Sequence, residues 1–133
     1  FQNHLDMVTV KTSEREHDFA TDPLSLQVVD GWLSADRTTL GADNGVGCAA
    51  AIAVMTDPDV VHPALELLFT VDEETGLGGA LNLDASILSG TLMLNLDTED
   101  WNELYISSRI DSLFAPNTDG SSSSLTQPSF DGK

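Results

Sequence analysis

The chain has 133 residues and a mass of 14.2 kDa, the size of a single domain. Its 5 Lys and Arg residues stand against 22 Asp and Glu residues, a formal net charge of −17, which argues against nucleic acid or an anionic membrane surface as a partner. Hydrophobic residues make up 41% of the chain, enough for a core, and no apolar run is long enough to span a bilayer. The single cysteine, Cys48, excludes an intrachain disulfide framework and fits a reducing, cytoplasmic location.

The first 36 residues predict a strand, a polar loop and a hairpin. Residues 5–10 form a short apolar run, and residues 11–22 are polar with no apolar helical face. The pair Asp30-Gly31 separates two apolar runs, which is a strong hairpin signal.

Residues 38–105 alternate helix and strand signals. The first helix is Ala-rich, apolar on most sides and preceded by Asp43 and Asn44, so we expect it to be buried and capped by one of these side chains. Helices between nearly continuous apolar strands predict βαβ units, a partly parallel sheet and an α/β fold. The predicted helix, strand, helix and two further strands are 43–55, 65–71, 76–88, 92–96 and 103–106.

The composition changes after residue 106. Residues 107–133 are rich in Ser, Gly and Pro and have no apolar periodicity, which predicts a flexible tail. We therefore divide the chain into a folded unit at 1–106 and a divergent tail at 107–133.

Histidine and acidic side chains follow the predicted apolar strands in four clusters. In an α/β sheet, groups at the carboxyl ends of parallel strands meet at one edge. Each cluster alone has a simpler explanation, as a surface histidine, a helix cap, a solvated strand end or a turn. The clusters are His4-Leu5-Asp6, Asp43-Asn44, Asp72-Glu73-Glu74 and Asp97-Thr98-Glu99-Asp100.

Together, these clusters predict a metal site. Gathered carboxylates repel one another unless a cation neutralises them, and imidazole with carboxylates is a ligand set for zinc, manganese or cobalt. The side chains of His4 and Asp6 share a strand face, so Asp6 can orient the imidazole. Glu73 and Glu74 diverge, so one can bind metal while the other faces a water molecule, as metal-assisted hydrolysis requires.

Four segments resemble the signature motifs of the Xaa-His dipeptidases. These aminoacyl-histidine, carnosinase-like dipeptidases belong to the co-catalytic metallopeptidase family that includes aminoacylase and glutamate carboxypeptidase. The likeness covers about residues 1–105 and implies a three-layer αβα, aminopeptidase-like sandwich, of which this chain holds part of the catalytic domain. The segments are NHLDMV at 3–8, TTLGADNGVG at 38–47, DEETG at 72–76 and LNLDTE at 94–99.

The resemblance implies two divalent metals. His4, Asp43 and Asp97 would bind the first, and Asp43 would bridge to a second that Glu74 also holds. It further implies a cis peptide bond between Asp43 and Asn44. No histidine follows His62, so the second site is incomplete in this chain.

The resemblance also assigns the catalytic groups and the substrate. Glu73 would be the general base for the water between the metals, and Asp6 would orient His4. The implied reaction is hydrolysis of a dipeptide, most plausibly of the β-alanyl-histidine type, by a cytoplasmic enzyme whose lid domain, absent here, carries homodimer contacts.

Departures from the family pattern favour a truncated chain. Asn3 and Arg37 stand where the family usually has glycine, and Ser107 begins a segment that no longer matches. Two alternatives therefore remain open: an inactive piece of a larger enzyme, and a weak acidic metal-binding module, against whose calcium form His4 and the lack of a calcium loop count.

Overall fold

The structure is a computed structural model that describes residues 1–98. The predicted strand at 103–106, the predicted tail at 107–133 and the boundary between the two units lie outside these residues. Within residues 1–98, no helix is both long and apolar enough to cross a bilayer.

A short parallel pair of strands forms the centre of the fold. β1 (Gln2–His4) pairs with β4 (Leu68–Thr70), so that His4 lies opposite Thr70. On the other side of β1, Gln2 forms a parallel bridge with Asn95 and donates its backbone N–H to Leu94 O at 2.9 Å. The partly parallel sheet is therefore confirmed, although the predicted strand at 92–96 is reduced to this one bridge.

Helix α1 (Ala42–Thr56) packs against β1 by one face only. The prediction of a helix is confirmed, but complete burial is wrong for the described residues, since Val46 and Ile52 are exposed. The expected side-chain cap from Asp43 or Asn44 is not formed: no side chain caps the helix, which follows Gly41 with φ +77°. Asp43 and Asn44 are non-helical, and the bond between them is cis, as the resemblance implies. The buried face consists of Asn44, Gly47, Cys48 and Ala51.

An antiparallel hairpin stands beside this unit, as predicted. β2 (Leu26–Val29) pairs with β3 (Trp32–Ala35), and Val29 lies opposite Trp32. Asp30 and Gly31 connect them with φ of 51° and 82°. Two consecutive positive φ angles match the twist of a two-residue hairpin turn.

Two other predicted elements differ from the structure. Residues 5–10 are irregular, because the strand ends at His4 and the chain turns there. The predicted helix at 76–88 is reduced to α2 (Gly78–Leu81) and a 3₁₀ turn at Ala85–Ile87. Asp84 accepts a hydrogen bond from the backbone N–H of Ser86 and so starts a new turn rather than continuing a helix.

The largest fully buried side chains are polar. Among the described residues, Asn3 and His4 are the biggest with almost no exposure, whereas the fully apolar core consists of Cys48 and Ala51. Polar groups therefore occupy the place where β1 meets α1. The mixed α/β architecture agrees with the predicted fold class.

Candidate metal centre

His4 occupies the carboxyl end of β1 and is 1% exposed. Its Nδ1 lies 2.8 Å from the backbone oxygen of Asp6, which can accept the Nδ1–H. The other ring nitrogen, Nε2, faces a group of carboxylates: it presents a lone pair when the neutral ring carries Nδ1–H, and it donates to Asp43 Oδ1 when the ring is protonated. The turn after β1 therefore orients the imidazole.

Asp6 contacts His4 in a different way from the one predicted. Its carboxylate Oδ1 lies 3.4 Å from Nδ1, farther than its backbone oxygen. The other carboxylate oxygen, Oδ2, accepts the backbone N–H of Glu74 at 3.2 Å. Asp6 thus ties the segment after β4 to the segment after β1.

Three carboxylates surround His4 Nε2. The nearest oxygens belong to Asp43 at 3.1 Å, Asp97 at 3.7 Å and Glu73 at 4.0 Å. Ligand atoms of His4, Asp43 and Glu74 all lie within 4.8 Å of one another. The structure therefore brings the side chains of His4, Asp43, Glu73, Glu74 and Asp97 together at this edge.

The topology explains this convergence. His4 ends β1, Asp43 opens α1, and Glu73 and Glu74 follow β4. Asp97 follows the bridge at residue 95, where its backbone N–H donates to Asn95 Oδ1 at 3.0 Å. Parallel strands deliver their carboxyl ends to one edge, so residues distant in sequence meet there.

The crowding of charge changes the acidity of these groups. Burial disfavours the charged form of His4, but the hydrogen bond to Asp43 and the field of Asp97 outweigh it and raise its pKa. Burial raises the pKa of Asp97, and Asp43 adds to this rise while His4 opposes it. Burial likewise raises the pKa of Glu73, helped by Asp97.

The donor set fits a divalent transition metal. One imidazole nitrogen and several carboxylate oxygens suit zinc, manganese or cobalt, and such a cation would relieve the mutual repulsion of the acids. Glu74 is partly engaged, since its Oε1 accepts the backbone N–H of Val8 at 3.3 Å, which leaves Oε2 for a ligand role.

The other histidines and the thiol lie outside the carboxylate group. His17 is buried with its ring edge-on to Phe19 at 4.6 Å, and His62 Nδ1 contacts the backbone oxygen of Pro63. Cys48 donates its thiol to His4 O at 3.2 Å, and burial raises the pKa of this thiol. Sequence reasoning predicted an inert buried thiol but missed its contact with β1, since only helix packing reveals it.

A cavity of about 70 Å³ in the described residues is lined by Glu73 and Asp97, and two larger ones flank the sheet. The larger, about 690 Å³, is lined mainly by apolar side chains at the amino end of β1, among them Phe1, Leu65 and Leu92. The smaller, about 250 Å³, opens beside Asp43 and Asp97. Of these two cavities, only the smaller is lined by carboxylates of the group around His4.

The known proteins that this chain matches include dipeptidases, which are hydrolases acting on peptide bonds. It is 45% identical over 105 residues to the cytosol non-specific dipeptidase of Escherichia coli K12, a match that covers 79% of this chain and 22% of that protein. It is 40% identical over 76 residues to the uncharacterized protein YqjE of Bacillus subtilis, covering 54% and 20% respectively. No protein-family profile matches the chain.

A solved structure gives the same result. The crystal structure of aminoacylhistidine dipeptidase from Vibrio alginolyticus superposes with a TM-score of 0.70 at 43% identity and covers 75% of this chain and 20% of that one. The chain is thus a homologue of these dipeptidases and spans about a fifth of their length. The family resemblance drawn from the sequence motifs is confirmed.

Proposed function

We propose that the chain is part of the catalytic domain of a metal-dependent dipeptidase. The observation that carries this proposal is His4 Nε2, buried and surrounded by Asp43, Asp97 and Glu73 within 4.0 Å. In the proposal, His4, Asp43 and Asp97 bind one divalent metal. Asp43 bridges to a second, which Glu74 also holds.

His4 and Asp6 prepare the first site. With the Nδ1–H held by the Asp6 backbone oxygen at 2.8 Å, the tautomer leaves Nε2 unprotonated and able to bind a cation. The Asp6 carboxylate keeps its charge, because although burial opposes that charge, backbone N–H groups of Glu73 and Glu74 outweigh it and lower its pKa. Asp6 therefore positions both His4 and the segment that carries the other two acids.

Glu73 is the proposed general base. Burial raises its pKa, which makes it a better proton acceptor than an ordinary glutamate. It would take a proton from the attacking water and return it to the amine of the departing amino acid. The bound metals would supply positive charge that acidifies this water and stabilises the developing negative charge on the substrate carbonyl.

The substrate and the assembly are those of a longer chain. We propose an Xaa-His dipeptide, such as β-alanyl-histidine, whose free amino group the surrounding carboxylates attract. We further propose a cytoplasmic enzyme with a complete three-layer αβα catalytic domain and a lid domain that carries homodimer contacts.

The chain by itself should bind metal better than it catalyses. The proposed second site has Asp43 and Glu74 but no imidazole, and two carboxylates hold a divalent ion weakly. We therefore expect about one tight metal per chain and little hydrolysis. The competing interpretation of a calcium-type acidic module is disfavoured by the buried imidazole at the centre of the group.

Calorimetry with zinc tests the proposal. The wild-type chain should bind one zinc ion tightly, and Asp43→Asn should remove most of this affinity. Asp59→Asn is the matched control, because Asp59 is an exposed aspartate beyond the end of α1. Equal zinc binding by wild type and Asp43→Asn would contradict the site. Hydrolysis of β-alanyl-histidine by a full-length relative, against none by this chain, would test the second-site argument.

A further inference from the structure

Two buried amide side chains meet beneath the carboxylate group. Asn3 is 0% exposed and Asn44 is 3% exposed. By distance and angle, neither the oxygen nor the nitrogen of either amide has a hydrogen-bond partner among the described residues, although Asn44 lies close enough to Asp97 to lower the pKa of that carboxyl. Buried amides are normally paired, because an unpaired one loses its hydrogen bonds to water without replacement.

Gly47 is the point at which these amides meet. A Cβ placed on Gly47 would collide with Oδ1 of both Asn3 and Asn44, and would lie 2.9 Å from Leu96 O. The two amides therefore face each other across a residue that has no side chain. A glycine is required at this place in α1 because of the close approach of three segments.

Each group at this junction neighbours a proposed metal ligand in sequence. Asn3 precedes His4, Asn44 follows Asp43, and Leu96 precedes Asp97. The junction thus joins the backbones of the three segments that supply the first site. A shift of any one segment here would move a ligand atom.

We infer that Asn3 and Asn44 form a buried hydrogen-bonded amide pair over Gly47 and act as positioning residues for His4 and Asp43. The oxygen and nitrogen of an amide exchange places by a half turn of the side-chain terminus. Such a turn of Asn3 brings its N–H against Oδ1 of Asn44 and pairs one donor with one acceptor. The functional part of this inference rests on the proposed metal site.

The pair links β1 to α1 through the side chain at position 3. A glycine there would leave Asn44 without this partner. The pair is therefore a second hydrogen-bonded contact between β1 and α1, in addition to the one that the Cys48 thiol donates to His4 O.

The first test needs no variant. Side-chain NH₂ protons of Asn3 and Asn44 in the metal-free wild-type chain should exchange with solvent at least about 10-fold more slowly than those of Asn82, which is exposed and donates one hydrogen bond to Gly78 O at 2.8 Å. Exchange of all three at the same rate would overturn the pair.

The second test compares two glycines of the same helix. Gly47→Ala should separate the amides and lower zinc affinity by about 10-fold or more, the effect typical of groups that orient metal ligands. Gly45→Ala is the matched control, since a Cβ there meets nothing within 4 Å. Equal zinc affinities in the two variants would overturn the positioning role.

A double-mutant cycle isolates the pair from general loosening. Asn3→Ala and Asn44→Ala should each weaken zinc binding by about 10-fold, and the double variant should be no weaker than the worse single variant. Losses of zinc affinity that simply multiply would show that the amides act independently and would overturn the pair.

If the variants do not fold, the exchange rates of the side-chain NH₂ protons in the wild type still test the pair. If the wild type binds no zinc while its amides are protected, the proposed function and the positioning role fall and the pair itself stands.

Discussion

The edge of the sheet where the metal site is proposed and the hairpin are built in opposite ways. At the edge, Asn3 and His4 are almost completely buried although both are polar, whereas in the hairpin Trp32 is 79% exposed and Val28 is 71% exposed although both are apolar. The contacts at the edge join residues far apart in sequence: Asp43 lies 39 residues from His4. The hairpin pairs residues that are neighbours in sequence, through one turn.

The two regions therefore depend on different parts of the chain: the hairpin on residues close in sequence, and the edge on segments far apart. A hairpin of this kind follows from its turn residues and its strand ladder, even without a buried face. The edge exists only when β1, α1 and the segment after β4 are assembled. Changes at the edge should therefore alter metal binding, and changes in the hairpin should alter stability alone.

Loss of the His4 imidazole should lower zinc affinity more than any other change considered. His4→Ala removes the one nitrogen donor of the group, so we expect zinc affinity to fall by at least about 100-fold. Isothermal titration calorimetry measures it. His62→Ala is the control, because His62 lies near the larger cavity, away from the carboxylates. Tight zinc binding by His4→Ala would mean that the carboxylates alone form the site.

Acid should weaken metal binding to His4 already at a pH above the ordinary histidine pKa of 6.5. The pKa of His4 is raised above 6.5, and a protonated Nε2 cannot bind metal. Zinc affinity should therefore decline as the pH falls through a value above 6.5. Titrations at several pH values, with the ring protons of His4 followed by NMR, measure both quantities.

The metal-free chain should respond to pH in the opposite sense. Because the folded pKa of His4 is raised, its contribution to stability is fully present below about pH 6.5 and is lost as the pH rises through the folded pKa. Denaturant unfolding of the metal-free chain across this range checks the sign. A metal-free chain that becomes more stable over the same rise in pH would contradict the charge balance around His4.

A side chain at the hairpin turn should cost stability without touching the site. Gly31→Ala forces a residue with a Cβ to φ +82°, although a Cβ there meets nothing within 4 Å. The strain of a left-handed residue is about 1–2 kcal/mol. Denaturant unfolding measures this loss, and zinc titration should remain at the wild-type value. A parallel loss of zinc affinity would show that the two regions are coupled.

Replacing the exposed Glu66 should have the smallest effect, a slight change in how the free energy of unfolding depends on pH. Its carboxylate accepts hydrogen bonds from the Ser89 hydroxyl at 2.5 Å and from the Gly90 backbone at 2.8 Å, and the Ser89 hydroxyl is the main cause of its lowered pKa. Its stabilisation is present above about pH 4.5 and is lost as the pH falls through the folded pKa. In the Glu66→Gln variant, the free energy of unfolding should therefore fall slightly less than in the wild type as the pH is lowered below about 4.5. An unchanged profile would mean that these hydrogen bonds do not form in solution.

Sequence signals predicted the elements that depend on interactions between residues close in sequence. Asp30-Gly31 indicated the hairpin, and the Ala-rich run indicated α1, which ends before Asp57-Pro58. Apolar content alone misplaced the first strand: residues 5–10 look like a strand, but the chain turns at His4 so that the Asp6 backbone can reach Nδ1. The helix cap failed for a similar reason, because Asp43 directs its carboxylate to His4 instead of to the helix.

The sequence by itself determined the hairpin, the main helix, the acidic character and, through four ordered motifs, the kinship with dipeptidases. These are properties of turns, of apolar periodicity and of residue types, which need no knowledge of distant contacts. Only the tertiary structure decided that Nε2 of His4 faces the acids, that the Asp6 backbone holds the ring, and that Asn3 and Asn44 meet at Gly47. These features depend on segments up to 93 residues apart in sequence, such as the Gln2–Asn95 bridge, and no local pattern records the angle at which such segments pack.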